Sequence, residues 1–209
     1  ITKWDIYGLG IKAERPNRIF NWKDISYFEY LKLEAKTYIG VDWGKVDAFG
    51  IVEAKYYDGK LFLHELNYLS EDKWKDRLSP LEHENIKGKN EGFVTWLFTK
   101  LNISKKVDII CDTNRPLKIS ALTYAGWERA VGAPKIAGSI LDGIDLLENL
   151  DVYYTDTSKN IAYEQENYSR EVDKYGVVQE EPEDKDNHLI DPIRYVGLYL
   201  QKIGIIKKV

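Results

Sequence analysis

Apolar and polar positions alternate in blocks of two different periods along this chain. From Lys36 the run Thr37-Tyr38-Ile39-Gly40-Val41-Asp42 is short, rich in β-forming residues and closed by an acid, which predicts a strand. Residues 49–57 and 61–69 predict two more strands, and Asp58-Gly59 between them predicts a hairpin turn. Residues 70–90 are polar and charged and predict a loop or a ragged helix. Phe93, Trp96, Leu97 and Leu101 then recur at helical spacing, so 91–102 predict a helix. Residues 107–112 predict another strand that ends in an acid, Asp112. Pro116 opens a helix that Gly126 closes, since proline suits the first turn and glycine the stop.

Residues 127–131 and 151–154 predict further strands. The helix between them carries Ile140, Ile144, Leu147 and Leu150 on one face. Residues 158–168 predict a helix on which Glu164 and Tyr168 share a face. Residues 169–186 alternate and are charged, with a turn at Lys174-Tyr175-Gly176, and predict an exposed hairpin. A last helix over 188–203 buries Ile193, Val196, Leu200 and Ile203. Residues 1–36 look irregular, with Pro16 and scattered aromatics such as Trp4, Tyr7, Phe20 and Trp22. Three strands in an antiparallel meander, followed by crossover helices and further strands, predict an α/β fold: a mixed sheet with helices on both faces.

Composition narrows the class. With 209 residues, 44% hydrophobic and 31% charged, the chain fits one globular domain with a substantial core. No apolar run approaches the roughly 18 residues that span a bilayer, so no membrane association is expected. Lys3, Trp4 and Asp5 interrupt any signal-peptide core. One cysteine, Cys111, excludes an internal disulfide and suits a reducing compartment. There is no methionine, even at position 1, which reads as a fragment or a processed product. The net charge of −4 does not favour a strong DNA binder, and any nucleic-acid contact has to be a local basic patch.

Three acids carry the chemistry. Asp42 and Asp112 each close an apolar strand. If those strands are parallel neighbours about 4.8 Å apart, both carboxylates leave the same sheet edge. Carboxylates that close repel one another unless a cation lies between them. Oxygen-only donors suit magnesium or manganese. Asp191 is the third acid. Pro192 keeps it in or just before the first turn of the last helix, with Asp186 or Asn187 as the expected N-cap, and the helix start favours its ionised form. His188 lies three residues earlier, positioned to complete a metal shell or orient water. If Asp42, Asp112, Asp191 and His188 converge, two ions fit a phosphodiester hydrolysis.

Each residue alone has a plainer reading. A lone strand-end aspartate usually serves a turn or a helix cap, and a lone histidine usually lies at a cap or the surface. Asp47 and Asp108 read as solvated, 180–186 as a solvated charge run, and Trp43, Trp96 and Trp127 as packing residues rather than base-stacking platforms.

The combination is more specific than its parts. Tyr38-Ile39-Gly40-Val41-Asp42-Trp43-Gly44, Ile109-Ile110-Cys111-Asp112 and Asn187-His188-Leu189-Ile190-Asp191-Pro192-Ile193-Arg194-Tyr195 closely resemble the nuclease domain of phage terminase large subunits. So do Ile19-Phe20-Asn21-Trp22, Lys135-Ile136-Ala137-Gly138-Ser139-Ile140 with Gly143-Ile144, and Glu164 with Tyr168. The resemblance covers residues 16–200, and its last motif is the most specific.

The resemblance implies an RNase H-like fold over 36–209. It implies that 1–35 are a linker, packed on the body, from an N-terminal packaging ATPase. It also implies a two-metal endonuclease, using Mg2+ or Mn2+, that cuts concatemeric double-stranded viral DNA in the host cytoplasm beside the small terminase subunit and the portal. Asp42, Asp112 and Asp191 match its catalytic acids, and His188 matches a histidine that some members keep. The 169–186 hairpin resembles one thought to touch DNA or regulate access to it.

Two positions depart from the family. Pro192 replaces a small residue, which bears on where the last helix begins. Thr113-Asn114-Arg115-Pro116 replaces the usual continuation of the second motif; Arg115 suits a phosphate contact, though a surface arginine is its plainer reading. Three other classes fit parts of the pattern. Actin-like and sugar-kinase ATPases share the Ile-Gly-Val-Asp-x-Gly motif but need a second domain and a second Gly-rich phosphate loop. Resolvases and transposases share the acids. A DNA-docking module would keep the fold without catalysis.

Overall fold

The computed structural model describes residues 17–89, 91–135 and 138–207. Trp4, Tyr7 and Pro16, and Ile136-Ala137 of the third resembling stretch, lie outside the described residues.

The antiparallel meander is β2 (Thr37–Asp42), β3 (Gly50–Tyr57) and β4 (Lys60–Asn67), which follow β1 (Lys23–Ile25) and α1 (Tyr27–Leu31). Asp58 and Gly59 both take positive φ, 49° and 75°, and turn the β3–β4 hairpin. The polar stretch after β4 forms two short helices, α2 (Glu71–Lys75) and α3 (Pro80–Ile86), with Ser70 and Ser79 as N-caps. Next come α4 (Gly92–Lys100), β5 (Asp108–Cys111), α5 (Pro116–Tyr124), β6 (Ala130–Gly132), α6 (Ser139–Glu148), β7 (Asp151–Thr155) and α7 (Lys159–Asn167). β8 (Arg170–Val172) and β9 (Val178–Pro182) pair as the expected hairpin, and α8 (Ile190–Lys202) ends the described elements.

Seven strands form one sheet in the order β1-β7-β4-β3-β2-β5-β6. β5 runs parallel to β2, β6 to β5, β7 to β4 and β1 to β7. The mixed sheet is the expected one, with an edge strand added from the 23–25 segment.

Period-two alternation divides the core between the two faces. On β2 and β5, Ile39, Val41, Ile109 and Cys111 pack with Phe93, Leu97 and Leu122 of α4 and α5. Tyr38 and Ile110 point the other way, into a layer shared with Ile144, Ile161, Ile193 and Val196 of α6, α7 and α8. Phe20, Trp22 and Tyr168 stack in this second layer.

Several expectations need correcting. The sixth strand begins only at Ala130. Trp127 instead lies buried before it, its indole donating to the Ile103 carbonyl at 3.0 Å. Ile140 and Ile203 are exposed. The buried face of α6 is Gly143, Ile144, Leu146 and Leu147, and α8 has ended before Ile203. Asp108 is not solvated: it is buried, with Lys36 at 2.5 Å and Arg129 at 3.5 Å.

Candidate active site

The face alternation that builds the core also places two of the acids. Tyr38, Gly40 and Asp42 share one face of β2, as do Ile110 and Asp112 at the end of β5, and this is the face α8 covers. Val41 is in register with Cys111, and the Asp112 amide donates to the Val41 carbonyl at 2.9 Å, so the two carboxylates leave adjacent strands one step further on.

Two glycines let the third motif approach. A Cβ on Gly40 would stand 2.3 Å from the Pro192 carbonyl oxygen, and one on Gly50 would stand 1.8 Å from that of His188. Any side chain at either place pushes the 188–192 segment off the sheet. Asp191 follows in the first turn of α8, as Pro192 requires.

The acids act on one another. Asp42 is held above the usual carboxylate range by burial, opposed in part by His188, and further by the charges of Asp191 and Asp112. All three carboxylates, after burial, raise the Tyr195 phenol. His188 is raised first by Asp42, whose Oδ2 lies 3.9 Å from its Nδ1. The structure thus brings Asp42, Asp112, Asp191 and His188 to one region.

Cations hold the acids. The Lys135 ammonium donates to Asp112 Oδ1, which also accepts from the Asn114 amide at 3.2 Å. Arg194 Nη2 donates to Asp191 Oδ1 at 2.6 Å, and the Tyr195 hydroxyl lies 3.4 Å from its Oδ2. Lys135 and Arg194 both lie over the Tyr195 ring. Sequence reasoning missed all three as site residues, though Lys135 begins one resembling stretch and Arg194-Tyr195 end another.

Among the described residues, no three His, Cys, Asp or Glu side chains are close enough to close around one ion. The donor chemistry nevertheless fits a divalent cation. It is oxygen-rich, its charges repel one another, and each of Asp112 and Asp191 already binds a positive group.

The expected N-cap is not used. Leu189 is the N-cap and offers no side-chain hydrogen bond, and Asp186 and Asn187 lie earlier. The carboxylate of Glu164, on α7, takes the role instead: its Oε2 accepts from the Leu189 and Ile190 amides at 2.7 and 3.0 Å. Burial, only partly offset by these two donors, pushes Glu164 up to about 7.

Beside His188 a groove of about 630 Å³ runs between the ends of β4 and α2. Lys73 and Arg77, four apart on one side of it, have no ion-pair partner among the described residues. Glu65 lines the same groove but is engaged by the Asn160 and Ile161 amides.

The seven-stranded mixed sheet carries carboxylates at the ends of two adjacent parallel strands and a third on the covering helix. No family model matches the chain. Over 127 residues the chain is 36% identical to the terminase large subunit of Bacillus phage SPP1, a match covering 59% of this chain and 30% of that protein. The nuclease domain of the SPP1 large terminase, solved with bound Mn, superimposes with a TM-score of 0.63 at 26% identity, covering 90% of this chain and 98% of that one. The phage P22 large terminase nuclease domain shares the fold, with a TM-score of 0.53 at 9% identity, covering 90% and 91%. The chain is similar over part of its length to the SPP1 terminase large subunit, of which the match spans 30%, and it carries the RNase H-like fold of the SPP1 nuclease domain. The expected fold and the resemblance to large-terminase nuclease domains are both found.

Proposed function

We propose that this chain is a divalent-metal-dependent endonuclease that cuts concatemeric double-stranded viral DNA during genome packaging. The observation that carries the reading is the register of β2 and β5, which sets Asp42 and Asp112 side by side facing Asp191. Asp42, Asp112 and Asp191 would hold the metal, two Mg2+ or Mn2+ ions in this reading, with His188 at its edge. Bound there, the ions would supply an activated water and charge stabilisation at the leaving oxygen. Bound Mn in the SPP1 nuclease domain supports the choice of cation.

The protein's own groups do the rest. Asp112 and Asp191 are oriented by Lys135 and Arg194, which would share those carboxylates with a bound cation. His188, close to Asp42, is placed to orient water. The charges of Lys73 and Arg77, unpaired among the described residues, suit the phosphates of a DNA strand entering beside His188. The β8–β9 hairpin suits a gate better than a phosphate contact. Residues 169–186 hold seven acids against three bases, which accounts for the whole net charge of −4.

The SPP1 relative is more than three times the length of the matched segment, which supports a packaging ATPase domain in the same protein. The small subunit, the portal and the host cytoplasm complete the proposed setting. Among the described residues, no helix is long and apolar enough to cross a membrane.

Nicking of supercoiled plasmid tests the reading. The chain cuts in Mg2+ or Mn2+, and chelation or Asp112→Ala stops it. Equal behaviour of the two proteins in both metals would leave a DNA-docking module, and a strong preference for branched DNA would point to a resolvase.

A further inference from the structure

We propose that Glu164 is a positioning residue for the candidate site, fixing the start of α8 and with it His188 and Asp191. This rests on the nuclease reading above.

A helix start leaves amide donors without intrahelical acceptors, and buried ones need partners. Around α8 each can be followed. The Leu189 and Ile190 amides go to Glu164, at 2.7 and 3.0 Å. The Asp191 amide goes to the Asn187 carbonyl at 2.8 Å, Pro192 has no N–H, and the Ile193 amide reaches the Leu189 carbonyl at 3.1 Å. Among these links the two to Glu164 are the ones that come from another element.

The choice of cap is costly. Glu164 is 0% exposed, with the Tyr68 hydroxyl as a polar side-chain neighbour, and among the described residues its Oε1 is not within good hydrogen-bond geometry of any donor. A carboxylate taken out of water is destabilising unless hydrogen bonds or charges compensate it. A local Asp or Asn cap would serve the helix alone, and Asp186 and Asn187 stand just before it unused in that role. What the distant cap adds is reference to the rest of the fold. Glu65 on β4 binds the Asn160 and Ile161 amides at the start of α7, at 2.9 and 3.4 Å. Glu164 on α7 then binds the start of α8. Two carboxylates in series tie the helix carrying Asp191 to the sheet that carries Asp42 and Asp112.

The test compares Glu164→Gln, which keeps an oxygen acceptor, with Glu164→Leu, which removes it. Mn2+ uptake is followed by electron paramagnetic resonance, and exchange of the Leu189 and Ile190 amides by NMR, well below each variant's melting temperature. The expected result is Mn2+ affinity about 10–100-fold weaker in Glu164→Leu and within about 3-fold of the unaltered chain in Glu164→Gln. Amide protection at 189 and 190 is lost only in the leucine variant. Plasmid cutting follows, with kcat lowered about 100-fold by leucine and KM for DNA little changed.

A folded Glu164→Leu that binds Mn2+ as tightly as the unaltered chain overturns the proposal. If leucine prevents folding, Glu164→Asp, one methylene shorter, takes its place under the same two outcomes. Should the unaltered chain itself take up no Mn2+, the nuclease reading falls first.

Discussion

Asp42 and Asp112 are held by the sheet, whereas Asp191 and His188 are held by the start of a helix. The first pair needs only two parallel strands in register, joined by backbone hydrogen bonds. The second pair depends on features far apart in sequence: glycines at 40 and 50 that admit the helix, and a carboxylate at 164 that caps it. Both halves of the site carry acids, but one is rigid by construction and the other by packing. Perturbations far from the chemistry should therefore reach Asp191 more readily than Asp42 or Asp112.

The largest effect comes from the acids themselves. Asp42→Ala, Asp112→Ala and Asp191→Ala should each reduce plasmid nicking to the protein-free background, while thermal melts show a folded chain. Unfolding at the assay temperature would instead make these residues structural.

Next is the contact between the halves. Gly40→Ala puts a methyl 2.3 Å from the Pro192 carbonyl oxygen. It should cost about 1–3 kcal/mol of stability and lower cutting more than it lowers DNA binding. An alanine variant with unchanged melting and cutting would show that the helix is not seated as closely as described.

DNA approach gives a smaller effect. Lys73→Ala with Arg77→Ala should reduce the slope of log affinity against log salt by about 2, if each charge neutralises one phosphate. Metal binding at the acids should not change. An unchanged slope would move the DNA path away from this groove.

The smallest effect concerns pH. Glu164 sits at about 7 in the folded chain against an ordinary 4.5, so its carboxyl favours the fold in the protonated form. Its contribution is complete below pH 4.5 and is lost as pH rises through about 7. In metal-free protein, urea melts at pH 5 and pH 8 should differ by about 1–2 kcal/mol less in Glu164→Gln than in the unaltered chain. Equal pH dependence in both would mean that burial does not favour the protonated form of Glu164.

What could be read from the sequence divides along the same line. The strands of Asp42 and Asp112 announce themselves by period and by their terminal acids, and the Asp58-Gly59 turn fixes the meander. Pro192 alone placed Asp191 in the first helical turn. The cap was not legible, because rules for helix starts look to neighbouring residues and Glu164 lies 25 positions away. Nor was the role of Lys135, since a lysine at the end of a loop carries no periodic signal and meets Asp112 only through tertiary packing. Edge strand β1 was hidden for a similar reason: three residues in an aromatic-rich stretch have too little length to show alternation. The buried state of Asp108 depends on Lys36 and Arg129, which no local pattern links to it.

The central claim is that the three aspartates form one metal-holding site, and a crystal soaked in Mn2+ tests it most directly. The anomalous difference map should show Mn2+ within ~2.5 Å of carboxylate oxygens from Asp42, Asp112 and Asp191, with Lys135 and Arg194 displaced or sharing those oxygens. A well-ordered soak with no peak there, or with Mn2+ bound elsewhere, would contradict the account.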